Sequence, residues 1–138
     1  MKMISRAKIA STDTHYLHHI HAGRYDLQTD EPVVLGGQGQ GPAPFDLYLA
    51  SLSACTAITL RMYAERKGWD LGEFTAEQQA QMDDDGHLHV NRVLHATGPL
   101  DEAQWTRLLE VVANTPVTKV MREGATITSE RGSRSARQ

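Results

Sequence analysis

The pattern of apolar and polar positions changes once along the chain, near residue 44. Before it, "KMISRAKIA" (2–10), "HYLHHIHAG" (15–23) and "GRYDLQTDEP" (23–32) are short β-prone stretches. They are separated by the polar "STDT" and by Gly23, and they predict three strands. Pro32 and the cluster "GGQGQGPAP" (36–44) then break regular structure. From Pro44 the spacing becomes helical. Pro44 fits a first helical turn, where a missing N–H costs little, and Gly68 suits a left-handed C-terminal cap. Arg61, Arg66 and Lys67 lie toward the end of the segment, where positive charge complements the helix dipole. Apolar residues between Leu47 and Leu60 reach almost every face, which predicts a central, enclosed helix.

Alternation returns in "EFTAEQQAQM" (73–82) and "HLHVNRVLHATG" (87–98), with Leu88, Val90 and Arg92 on one face. The connecting "DDDG" carries an Asp-Gly hairpin signal. A second helix opens at Asp101, with Gln104 as capping-box partner and Leu100 ahead of it. Trp105, Leu108, Leu109 and Val112 follow at helical spacing. Thr115-Pro116 predicts the start of a third helix, Thr115 as N-cap, with Val117, Val120 and Met121 on one face and Gly124 as its end. "ATITS" (125–129) reads as a last strand. The order βββ–α–ββ–αα–β is that of an α+β fold, and with no internal repeat or linker it predicts a single domain over residues 1–138.

Composition narrows the function classes. At 138 residues the chain can bury a core of its own, and 40% apolar and 22% charged residues are ordinary for a globular protein. A net charge of -3 and a pI near 6.1 lack the basic footprint of a nucleic-acid binder. The basic "RGSRSARQ" reads as a solvated end. The N-terminus has no apolar signal core, and "LYLASLSACTAITL" (47–60) is shorter than the roughly 20 residues a membrane span needs. One cysteine, Cys55, excludes an internal disulfide and fits a reducing compartment, so the expectation is a cytoplasmic protein without a membrane partner.

Three groups of residues could carry chemistry. The glycine-rich loop precedes a helix, an arrangement that can cradle phosphate, but no Lys-Ser/Thr follows and Pro42 and Pro44 interrupt the helix entry. It reads as a structural loop. His19 with His21, and His87 with His89, share strand faces that a metal could use, yet no thiol or carboxylate spacing completes a site; they read as solvent-facing residues, and no metal or cofactor is expected. Cys55 lies mid-helix, where a thiol normally packs as a small hydrophobe. Activation would have to come from a cation or dipole on another element.

Residues 30–71, "DEPVVLGGQGQGPAPFDLYLASLSACTAITLRMYAERKGWDL", resemble the OsmC-like branch of the OsmC/Ohr family. Residues 98–121, "GPLDEAQWTRLLEVVANTPVTKVM", resemble its second helical block. The resemblance implies an OsmC-like fold, two chains intertwined as a homodimer, and cysteine-based reduction of organic hydroperoxides reset by an external thiol. Cys55 matches the central-helix cysteine of the family's "ACT" motif. The second family cysteine lies in "KCPVH"; here the same place reads "NTPVT", so Thr115 takes the cysteine's position and Thr118 the histidine's. The acidic residue that the peroxidases carry ten positions before the central cysteine is Phe45 here, with Asp46 adjacent, and Arg24 is a candidate for the family's arginine.

A threonine at 115 can cap a helix but cannot become a thiolate or form a disulfide. Cys55 is then the only redox residue. Ser51, Thr59 and Met62, one or two turns away on its face, are expected to line an apolar pocket for a hydroperoxide or another small apolar ligand. The alternative is a catalytically silent dimer that binds an apolar ligand or a partner.

Overall fold

The computed structural model describes residues 1–132. Strands β1 (Ala7–Ser11), β2 (His18–Ala22) and β3 (Tyr25–Thr29) form an antiparallel sheet in the order β1-β2-β3. The β2–β3 register pairs Ala22 with Tyr25, leaving a two-residue turn at Gly23 and Arg24. Gly23 has φ +58 and Arg24 is not in the left-handed region, the combination of a type II′ hairpin whose twist matches its strands.

Helix α1 (Pro44–Lys67) ends as its glycine predicts. Gly68, at φ +71, donates to the Glu65 carbonyl and Trp69 to the Ala64 carbonyl, the paired bonds of a Schellman cap. Trp69 then stacks edge-on against Tyr63, 5.6 Å between ring centres. At the other end, Asp46 Oδ2 accepts from the Ala43 N–H at 2.9 Å, tying the first turn to the residue before Pro44.

Strands β4 (Phe74–Met82) and β5 (Leu88–Ala96) make a two-stranded sheet. Asp83 N–H bonds the His87 carbonyl, Gly86 N–H bonds the Asp83 carbonyl, and Gly86 has φ +82. The hairpin therefore uses a three-residue loop with a left-handed glycine rather than a two-residue Asp-Gly turn. Helix α2 (Glu102–Val112) has the full capping box: Gln104 N–H bonds Asp101 Oδ1 and Asp101 N–H bonds Gln104 Oε1. It buries Leu108 and Val112 and leaves Leu109 exposed. Helix α3 (Pro116–Glu123) half-buries Val117 and Met121 but exposes Val120.

The final strand is a correction. Residues 125–129 are in no sheet among the described residues, and Ile127 is 85% exposed. Their alternation and β-branching suit a strand, but a strand also needs a neighbour to pair with, and no described strand pairs with this segment. Much of "RGSRSARQ" lies outside the described residues.

The chain forms two compact units, one of Met1–Ala54 with Ala76–Leu94, the other of Cys55–Thr75 with the residues from His95 onward. In the first, Leu17, Leu52 and the carboxylate residue Asp30 are buried. In the second, Leu60, Ala64, Leu71, Leu108 and Val112 form the core together with Thr56 and Thr115. Along α1, Leu52, Thr56, Leu60 and Ala64 make one buried stripe at four-residue spacing. Phe45, Ile58 and Met62 remain exposed, so within one chain a single face of this apolar helix is enclosed.

Candidate functional site: a lone thiol and a carboxylate-anchored groove

Cys55 is half-buried on α1. Its Sγ lies 3.9 Å from Thr59 Oγ1, one turn further on the same face. Of the other residues expected on this face, Met62 is 53% exposed, and Ser51 is exposed with its hydroxyl donating to the Tyr48 carbonyl at 2.7 Å. Thr59 thus gives the thiol a neighbouring hydroxyl on its own helix.

Thr115 is the N-cap of α3 and is 2% exposed. Its side chain makes no capping bond. The Oγ1 atom instead meets Thr118 Oγ1 at 2.6 Å. Thr115 and Thr118 are thus joined to each other, and the expectation that the Thr115 hydroxyl caps the helix is corrected. The Thr118 hydroxyl, within reach of Thr115 Oγ1, takes the place of the backbone N–H groups that a capping side chain would otherwise meet.

Arg24 is exposed in the β2–β3 turn with its guanidinium 5.6 Å from the centre of the Tyr25 ring. Among the described arginines, Arg92 alone is not exposed. The bonds Asp83 N–H to His87 O and Thr97 N–H to Glu73 O place the same register at both ends of the β4–β5 ladder, so Arg92 stands opposite Gln78. Gln78 Oε1 receives the Ser53 hydroxyl of α1 at 2.7 Å, while its Nε2 is buried without a hydrogen-bond partner among the described residues. The alternation of β4 and β5 signals both inward polar residues, since Gln78 shares a face with Phe74, Ala76 and Ala80, and Arg92 with Leu88 and Leu94.

Asp30 is the residue that sequence reasoning missed. It is 3% exposed, and its carboxylate collects the N–H groups of Glu31 (2.8 Å), Gln38 (3.2 Å) and Gln40 (3.2 Å). Burial pushes its pKa up, but these three bonds and the nearby His15 outweigh that and hold it below the usual 3.8. The glycine-rich loop therefore wraps an anion that belongs to the protein itself. Gly37 is needed because a Cβ there would overlap the Glu31 carbonyl. The structural reading of this loop holds: N–H groups that could cradle phosphate are already used. An acidic residue just ahead of a run of glycines was the available signal.

The loop and the start of α1 enclose a groove of about 590 Å³. Pro32, Leu35, Ala43, Pro44 and Phe45 give it an apolar lining, and Glu31 and Asp46 supply two carboxylates. Phe45 is 57% exposed, its ring set edge-on to Tyr48 at 6.0 Å.

The histidines pair singly. His21 Nδ1 meets Asp26 Oδ1 at 2.7 Å and His89 Nε2 meets Asp83 Oδ2 at 2.9 Å. The His89 bond, with the His87 N–H, holds Asp83 below its usual pKa. Among the described residues, no group of three His, Cys, Asp or Glu side chains converges as a metal site would require. No helix of the described residues is long and apolar enough to cross a membrane.

The backbone is similar to solved structures. An OsmC-like protein from Mycoplasma pneumoniae superposes with a TM-score of 0.75 at 15% identity, over 88% of this chain and 89% of that one. An organic hydroperoxide resistance protein, OsmC, from Legionella pneumophila gives 0.67 at 22% identity, over 87% and 90%. No curated protein matches at a significant level. The sequence profile of the OsmC-like proteins matches residues 37–130, which include all of α1, the β4–β5 hairpin, α2 and α3. With that match over more than half of its length, the chain belongs to the OsmC-like protein family.

Proposed function

We propose that this chain is a dimeric thiol-dependent redox protein of a reducing, cytoplasmic compartment, acting on organic hydroperoxides through Cys55 alone. The reading is supported by the half-buried thiol of Cys55 on α1 and by the bonded Thr115–Thr118 hydroxyls at the positions that the resemblance assigns to the second family cysteine and the histidine. The Cys55 thiolate attacks the O–O bond of a hydroperoxide, the alkoxide leaves and takes a proton to become an alcohol, and the sulfur becomes a sulfenic acid. An external thiol condenses with it, releasing water and forming a mixed disulfide. A second thiol then restores Cys55 and leaves as the external disulfide. Thr115 cannot take the resolving step, so the cycle runs through a reductant in solution.

Dimerisation is favoured by the open face of α1. Ile58 and Met62, on one side of it, are 60% and 53% exposed, and a fully buried side chain of this size contributes about 1.5–3 kcal/mol. The replacement of an acidic residue by Phe45 favours the second reading, a silent dimer that only binds an apolar ligand.

Steady-state consumption of cumene hydroperoxide separates the two. The enzyme reading predicts consumption that requires added thiol and disappears in Cys55→Ser. Consumption equal to the buffer rate with both monothiol and dithiol reductants leaves the silent dimer.

A further inference from the structure

We propose that the groove between the glycine-rich loop and the first turn of α1 binds lipophilic organic cations. Its volume of about 590 Å³ lies within the range of small-molecule pockets, and its walls are mostly apolar. Its charge is one-sided. Glu31 and Asp46 both line it, and among the described residues no Lys, Arg or His does. The start of α1 contributes only about half a positive charge, less than Asp46 alone cancels.

Several backbone donors of this region are already engaged. The N–H groups of Gln38 and Gln40 are bonded to Asp30, that of Gly39 to the Glu31 carbonyl, and that of Ala43 to Asp46. Pro42 and Pro44 have none. Phe45 presents an exposed ring at the same site, and an aromatic face attracts a desolvated cation. An aryl or alkyl body fills the apolar lining while a delocalised positive charge sits between the two carboxylates. This binding involves no step at Cys55 and stands or falls separately from the redox reading.

Tetraphenylphosphonium and tetraphenylborate have nearly the same shape and opposite charge, so titrating each into the full-length protein by calorimetry isolates the sign. The phosphonium is expected to bind at least tenfold more tightly. Glu31→Gln and Asp46→Asn are each expected to weaken it about threefold to tenfold, as loss of one nearby charge predicts. The amide introduced by Asp46→Asn retains an oxygen for the Ala43 N–H, and Glu31→Gln leaves the helix start untouched, so a folding defect in one variant does not remove the test. Glu102→Gln, outside the groove, should leave the affinity unchanged, which separates the local charge from the net charge of the chain. Phe45→Ala should weaken the cation. Equal affinity for the two ions, or a phosphonium affinity unmoved in the Glu31→Gln, Asp46→Asn double variant, overturns the proposal.

Discussion

In the reading we propose, Thr115 keeps the start of α3 while standing in the place of a second redox cysteine. Thr115 still begins α3 ahead of Pro116, yet its hydroxyl bonds Thr118 instead of capping. Thr115→Ala removes the hydroxyl and a buried methyl and should therefore cost one net side-chain hydrogen bond, about 0.5–1.5 kcal/mol, beyond Thr115→Ser, which removes the methyl alone. Urea unfolding of the three proteins measures this; equal destabilisation by Ser and Ala would show that the methyl group, not the hydroxyl, matters.

Asp30 makes a second prediction at the same scale. Its folded pKa lies below the usual 3.8, so its carboxylate stabilises the native state above that value. This contribution is lost as pH falls through the lower folded pKa. Asp30→Asn should lower the urea midpoint near neutrality and flatten its decline below about pH 4. A parallel acid limb in both proteins would contradict the assignment.

The elements were largely legible because their signals are local. Period-two alternation marks β4 and β5, and the Asp101–Gln104 pair and Thr115-Pro116 mark the helix starts. What stayed hidden depends on partners far along the chain. The carboxylate of Asp30 reaches backbone groups eight and ten residues away, and backbone N–H groups leave no trace in side-chain identity. Residues 125–129 have the composition of a strand, but composition does not name a partner, and no described strand pairs with them. The same distinction orders two glycine substitutions. At Gly68 nothing lies within 4 Å of a new Cβ, so Gly68→Ala should cost only the left-handed backbone strain, about 1 kcal/mol. Gly37→Ala must displace the Glu31 backbone and should cost more. Thermal unfolding that ranks them the other way would count against the packed loop.

For the whole molecule, the uneven enclosure of α1 is the informative feature. An apolar helix with Ile58 and Met62 open is unfinished as a monomer's core element. The protein is expected to run at twice its 15.3 kDa chain mass in light scattering after size exclusion. Met62→Glu should shift it toward monomer or lower its solubility, because a charge in a closed interface lacks a partner. A parent protein of single-chain mass at all concentrations would remove the dimer.

Trapping the oxidised sulfur tests the redox account most directly. The protein, exposed to cumene hydroperoxide with a dimedone-type reagent present, is digested and the peptide bearing Cys55 is weighed. A single sulfenic acid adduct on Cys55, formed at sub-millimolar peroxide and suppressed when a thiol is added first, is the expected result. An unmodified thiol after millimolar peroxide would contradict it.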